Sequence, residues 1–188
     1  MAFSEDELFD ILNEDGTRTG QTKPRGLVHQ DGDLHGASHV FLTRRKNDRI
    51  QLLLQKRSAD KDSYPLCWDT SSAGHLDAGE SFDHAAIREL GEELGVAGYT
   101  PEYLFTKKQE HTAYFHGKPF HDHEINAVYL LELDRDASAL SIEKSEIETV
   151  HWFDLEDILS ALKRSDPSYC LDADEIEQLR PYLEKHYQ

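Results

Sequence analysis

Cysteine is scarce. Cys67 and Cys170 are the only two in 188 residues, far apart and without metal-type spacing. A disulfide-stapled secreted scaffold is thereby excluded, and a reducing, cytoplasmic setting is the expectation. Apolar runs are short as well. None approaches the ~20 residues of a membrane span, and the opening MAFSEDELFDIL turns acidic before an apolar signal-peptide core develops. Positive charge is the third scarcity. Against 37 Asp and Glu stand 20 Lys and Arg, a formal net charge of −17, so neither a nucleic-acid polymer nor a membrane is an expected partner. A small phosphorylated molecule is not excluded, because bound cations can bridge two sets of negative charge.

What is present suits one domain over residues 1–188, with 38% hydrophobic and 30% charged residues. Within 1–26, Leu8, Ile11 and Leu12 precede the turn Asn13–Gly16, and Thr17 to Thr19 return. This pattern predicts an N-terminal β-hairpin, whose exposed apolar surface would suggest a homodimer. Pro24 and Gly26 mark a connection. His29 falls just before an Asp31-Gly32 turn. His35 and His39 share parity on a strand running through Val40, Phe41 and Leu42, so both face one side. Ile50–Gln55 is a continuous apolar strand. Lys56, Arg57 and Lys61 then fall in a loop, where they are candidates for phosphate contacts. Short strands are expected over Trp68–Ser72, Tyr103–Lys107 and Thr149–Phe153, with a strong one over Ile125–Leu133. The stretch from Gln109 to His123, with His111, His116, His121 and His123, reads as polar connection. A helix capped by Asp154 is expected through Leu162. A C-terminal helix begins at Asp172 or Asp174, reaches about Lys185 and is interrupted at Pro181. Mixed strands with a central and a late helix make an α/β fold.

The chemistry concentrates in Gly74–Val96, GHLDAGESFDHAAIRELGEELGV. Ser81 opens a helix in which Ala86, Leu90 and Leu94 form one apolar stripe, and Gly95 stops it. On another face Glu89, Glu92 and Glu93 stand at i, i+3 and i+4. Like charges so spaced cost roughly 0.2–0.5 kcal/mol per pair, so folding alone would not select them. A hard divalent cation would, since Mg²⁺ binds through carboxylates, water and substrate phosphates. Arg88 is placed to pair with Glu80 and tie the preceding loop to this helix.

This segment resembles the Nudix signature. Gly74, five residues, Glu80, seven residues and then Arg88-Glu89-Leu90-x-Glu92-Glu93-x-Gly95-Val96 follow its order. The resemblance implies an α/β/α sandwich with a mixed sheet and hydrolysis of a diphosphate linked to another moiety. It implies that Glu89, Glu92 and Glu93 hold Mg²⁺ or Mn²⁺, helped by the Gly74 carbonyl. Glu80 and Arg88 would be structural, and Glu93 or Glu124 would accept the attacking water's proton. The stretch KRSADKDSYPLCWDTSSAGHLDAGES is further similar to type 1 isopentenyl-diphosphate isomerases. That likeness implies metal-binding roles for His75, His35 and Glu124. The isomerase's catalytic cysteine position, however, holds Ala73, which cannot move a proton, so hydrolysis is the expectation. The implied substrate is a small diphosphate, isopentenyl diphosphate-like or a nucleoside diphosphate derivative. An isomerase-like enzyme and a non-catalytic sensing domain are the alternatives.

Overall fold

A computed structural model describes residues 7–61, 63–115 and 117–188. Residues 1–6 of the expected hairpin extension, and His116, lie outside the described residues. The hairpin forms as its turn chemistry requires. Asp15 accepts from the Thr17 amide at 3.0 Å and the Thr17 hydroxyl at 2.6 Å, an Asx-type closure that joins β1 (Leu8–Leu12) to β2 (Arg18–Pro24). Phe9, Ile11 and Leu12 turn inward and leave Leu8 as the exposed apolar side chain of β1. The segment after Pro24 is not a connection. It is a helix, α1 (Arg25–Asp31), which Pro24 can precede without losing a bond and which Gly32 ends in the left-handed region. Its consequence is to bury His29.

β3 (His35–Lys46) and β4 (Arg49–Arg57) pair antiparallel only over Thr43–Lys46, and then diverge. Ser71 sits at the fork. Its hydroxyl donates to the Leu53 carbonyl at 2.5 Å and accepts from the Leu42 amide at 2.8 Å. The expected strand Trp68–Ser72 is accordingly split into β5 (Trp68–Asp69), beside β4, and β6 (Ser72–His75), beside β3. After α2 (Phe82–Leu94) comes a long antiparallel hairpin of β7 (Glu102–Phe115) and β8 (Lys118–Glu132). Within the stretch read as connection, Gln109 to Phe115 and Lys118 to His123 are therefore strand. Cross-strand pairing there supplies the backbone partners that its polar side chains do not advertise. β8 also runs parallel to β3, with His35 opposite Glu124.

β9 (Ile147–Asp154) adds to the far edge of β4, and α3 (Leu155–Lys163) and α4 (Ala173–His186) follow. Asp154 precedes α3 but does not cap it with its side chain, because Arg49 and Gln51 take its carboxylate. Asp172 does cap α4, accepting from the Asp174 amide at 2.8 Å. α4 runs through Pro181 without a break, since Ile176, Leu179 and Leu183 bury one continuous stripe on both sides of it.

Strand alternation divides the core between the two faces of this mixed sheet. Val40, Leu42 and Leu53 meet Ala86, Leu90 and Leu94 of α2 on one face. Phe41, Leu52 and Leu54 meet Leu155, Ile158 and Ile176 of α3 and α4 on the other. This is the expected α/β/α sandwich. Each fully buried leucine contributes about 1.5–3 kcal/mol, so the α2 stripe anchors its acidic face firmly. No described helix is long and apolar enough to cross a membrane.

Candidate active site

The three signature glutamates of α2 sit in three different environments. Arg88 organises them. Its guanidinium donates to Glu80 at 2.8 and 3.0 Å, to Glu89 at 2.6 Å, to Glu92 at 3.3 Å and to the His75 carbonyl at 3.0 Å. Loop and helix are thus tied together as the spacing predicts. Glu92 lines the cleft but is open to solvent, its side chain 62% exposed. Glu89 lies against β6 so closely that a Cβ on Gly74 would stand 2.0 Å from its Oε1. Glu93 is 6% exposed and accepts from the Ala73 amide at 3.1 Å. Burial, then the neighbouring Glu89, pushes Glu93 up to about 8. Burial also raises Glu89, against the opposing pull of Arg88. One buried and one half-buried carboxyl that resist ionising suit a site meant to be completed by a cation.

A second constellation lies alongside, drawn from four elements. His29 comes from α1, His35 from β3, His75 from β6, and Asp122 and Glu124 from one face of β8. Phe9 of the hairpin stacks on His35 and His75 at ring separations of 5.4 and 4.7 Å and closes the group on one side. Glu124 Oε1 lies 3.0 Å from His75 Nε2 and 3.5 Å from His35 Nε2. Burial would raise Glu124, but His35 and His75 outweigh it and hold its carboxyl well below the usual range. Burial first, then His35 and Arg25, bring His29 down to about 4, and burial likewise carries His75 down, so both imidazoles are neutral. His35 moves the other way, because Glu124 overcomes the effect of its burial. Asp122 is pushed up to about 8 by burial and by Glu124.

Nε2 of His29, Nε2 of His35 and Oδ1 of Asp122 are buried without a hydrogen-bond partner. One ligand atom from each of His29, His35, His75 and Asp122 falls within 4.8 Å of the others. Asp122 stands 3.7 and 3.9 Å from the two histidine nitrogens, too far for hydrogen bonds. Atoms each ~2.1 Å from a shared ion would span a similar gap. The donor set fits a divalent metal of the kind that accepts imidazole. His75, His35 and Glu124 were legible as candidates, whereas His29 as a ligand and Asp122 were not. The available signal was the Asp122-x-Glu124 alternation, which places both carboxyls on one face once that stretch is recognised as strand.

Of the basic residues predicted for phosphate, Lys56 is a correction. It lies within β4 rather than in a loop, and strand alternation turns it away from the cleft, its Nζ 5.8 Å from the Trp68 ring. Arg57, its neighbour, lines the cleft and is held by Asp69 at 2.9 Å and by Ser63. Lys61 also lines it, paired with Glu146. The cleft that joins the α2 acids to these groups has a volume of about 770 Å³.

The chain matches the NUDIX domain family over residues 33–173. It is 42% identical over 168 residues to Nudix hydrolase 3 of Arabidopsis thaliana, an alignment covering 87% of this chain and 21% of that protein. The chain thus spans about a fifth of that relative's length. It is 31% identical over 152 residues to the isopentenyl-diphosphate Delta-isomerase of Escherichia coli, covering 81% of this chain and 79% of the isomerase. Among solved structures it is similar to DR0079 from Deinococcus radiodurans, with a TM-score of 0.71 at 21% identity over 92% of this chain and 98% of that one.

Proposed function

The chain belongs to the Nudix hydrolase family, and from that premise we propose that it cleaves the diphosphate linkage of a small metabolite, either isopentenyl diphosphate-like or a nucleoside diphosphate derivative. One observation carries the reading. Every acid of the signature is present, and Glu89, half-buried, and Glu93, buried, are brought to the cleft beside Gly74 and are reluctant to ionise. In the proposed site Glu89, Glu92, Glu93 and the Gly74 carbonyl hold Mg²⁺ or Mn²⁺. A cation bound there neutralises the diphosphate and lowers the cost of charge on the leaving oxygen. Glu93 accepts the proton of the attacking water. Glu124 is the weaker base, because its carboxyl is held ionised by two histidines and a base works best near its operating pH. Glu80 and Arg88 position the helix, while Arg57 and Lys61 flank the incoming phosphates. The two free thiols are consistent with a cytoplasmic setting.

The test is phosphate release with Mg²⁺ across isopentenyl diphosphate, nucleoside diphosphates and triphosphates, nucleoside diphosphate sugars and dinucleotides, each compared with Glu93→Gln. Release that depends on Glu93 is expected for one substrate class. Silence across the panel from folded, metal-loaded protein sinks the hydrolase reading and favours sensing. An isomerase-like second reading draws on the assembled histidine cluster, but Ala73 supplies no proton. If the rest of that site is present, Ala73→Cys gains isomerase activity.

We also assign the histidine cluster a metal of its own. After chelation and reloading with Mn²⁺, His35→Asn/His75→Asn should bind about one equivalent less than wild type, while Glu93→Gln keeps that equivalent. Equal metal content by mass spectrometry in the histidine variant and the wild type would remove this site.

A further inference from the structure

Beyond both metal constellations, the cleft holds a second buried acid–histidine pair. His39, on β3, lies directly across from Ala73 of β6 in the antiparallel register, so the two side chains share a face. Both line the cleft. The Ala73 amide is the group that Glu93 grips, so the strand position paired with His39 is also the one that holds the proposed catalytic carboxyl. His39 Nδ1 is taken by Glu175, 2.9 Å from Oε1 and 3.2 Å from Oε2. Glu175 comes from the first turn of α4 and is 2% exposed. This arrangement is a buried carboxylate fixing one nitrogen of a ring that lines the cleft, while the other nitrogen has no hydrogen bond among the described residues.

The charge balance of the cleft gives that nitrogen its meaning. Arg57 is matched by Asp69, Arg88 by Glu80 and Glu89, Lys61 by Glu146 and Arg25 by Glu7. An anionic ligand entering here meets cations already engaged with carboxylates, so added donors aimed at it have particular value. The proton on His39 is secure. Burial works against it, but Glu175 first, then Glu124 of β8 and Asp69 of β5, carry the imidazole up to about 9. Such a group is a poor proton donor near neutral pH and a persistent hydrogen-bond donor.

We propose that His39, anchored through Nδ1 by Glu175, presents Nε2–H to a phosphate oxygen of the bound diphosphate, and that this pair couples α4 to substrate binding. The proposal rests on the diphosphate reading above. It makes Glu175 a positioning residue, acting through His39 and not touching substrate itself. It also accounts for a buried glutamate on a helix that otherwise packs apolar residues against the sheet.

The test separates the two ring nitrogens. Asparagine at position 39 retains a donor where Nδ1 stood and so keeps the Glu175 bond, but it lacks the second arm. Glutamine reaches to the place of Nε2. With Mg²⁺ and the non-hydrolysable probe methylenediphosphonate, calorimetry should give a dissociation constant about tenfold weaker for His39→Asn, the scale of one charge-assisted hydrogen bond. His39→Gln should recover most of it. In the wild type, the ¹⁵N resonance of His39 Nε2 should shift when the probe is added, a readout that requires no variant. An unchanged dissociation constant in His39→Asn with an unmoved resonance overturns the assignment while leaving the diphosphate reading standing. A wild type that binds no probe overturns both.

Discussion

Glu93→Gln lowers phosphate release by about 10³-fold, the contribution expected of a positioned general base, while stabilising the metal-free protein at alkaline pH. The two effects have one origin. Glu93 is buried next to Glu89, and burial first, then Glu89, pushes its carboxyl up to about 8, far above the ordinary glutamate value of about 4.5. A carboxyl raised in this way binds its proton more tightly when folded. Below pH ~4.5 it is protonated in both states and makes no difference. As pH climbs from there toward 8, the unfolded chain releases the proton and the folded chain does not, so stability falls throughout that window. Above it the accumulated loss is at most about 5 kcal/mol. Glutamine carries no charge to bury and removes this slope. Urea denaturation of both proteins without metal at pH 5, 7 and 9 should therefore show curves that diverge as pH rises, the variant being the more stable. Mg²⁺ should stabilise the wild type most at high pH, where the ionised carboxyls need it. Full turnover in Glu93→Gln would remove Glu93 from the chemistry. A variant less stable than wild type at pH 9 would show that the carboxylate is satisfied by the protein alone.

Gly74→Ala should cost about 10²-fold in turnover, the scale on which small displacements of catalytic groups are felt. Gly74 lies in ordinary strand conformation within β6, so backbone strain is not the reason. The reason is contact. An added methyl would meet Glu89 Oε1 at 2.0 Å and its Cδ at 2.1 Å, and no bonded arrangement tolerates that overlap. The glutamate must swing aside, and Arg88, which holds both Glu89 and the His75 carbonyl, is disturbed with it. Overpacking of this kind costs about 1–3 kcal/mol in stability, so the variant should fold and crystallise with Glu89 displaced. Shortening the acid in Gly74→Ala/Glu89→Asp should restore part of the rate by making room. No recovery in the double variant, with Glu89 unmoved in the single one, would show that the glycine serves some other purpose.

The part of the site that could be read in advance is the part built by local rules. Ser81 as cap, the Ala86–Leu90–Leu94 stripe, Gly95 as stop and the Arg88–Glu80 tie all lie within one helix and the loop before it. There, side-chain position follows from a 3.6-residue repeat. The same repeat put Glu89, Glu92 and Glu93 on neighbouring turns, though not their unequal burial, which depends on β6 and β4 lying against the helix. Strand assignments erred where polarity hid pairing. Gln109–His123 has few apolar residues to mark it, and its backbone partners come from the opposite arm of its own hairpin. Reading Lys56 as a loop residue left its direction open. Once β4 is seen to extend through Arg57, alternation sends Arg57 into the cleft and Lys56 out of it.

By itself, then, the chain's sequence determined the family, the α/β class, the acidic signature helix and the expectation of an anionic substrate met by cations. Tertiary structure alone decided the rest. His29, His35, His75 and Asp122 belong to a helix and three strands, and the sheet brings them within reach of one ion. Glu175 meets His39 only because α4 returns across the face of β3. No periodicity connects these residues. Their proximity comes from strand register and helix packing, which depend on how the whole core is buried and not on any one stretch of sequence.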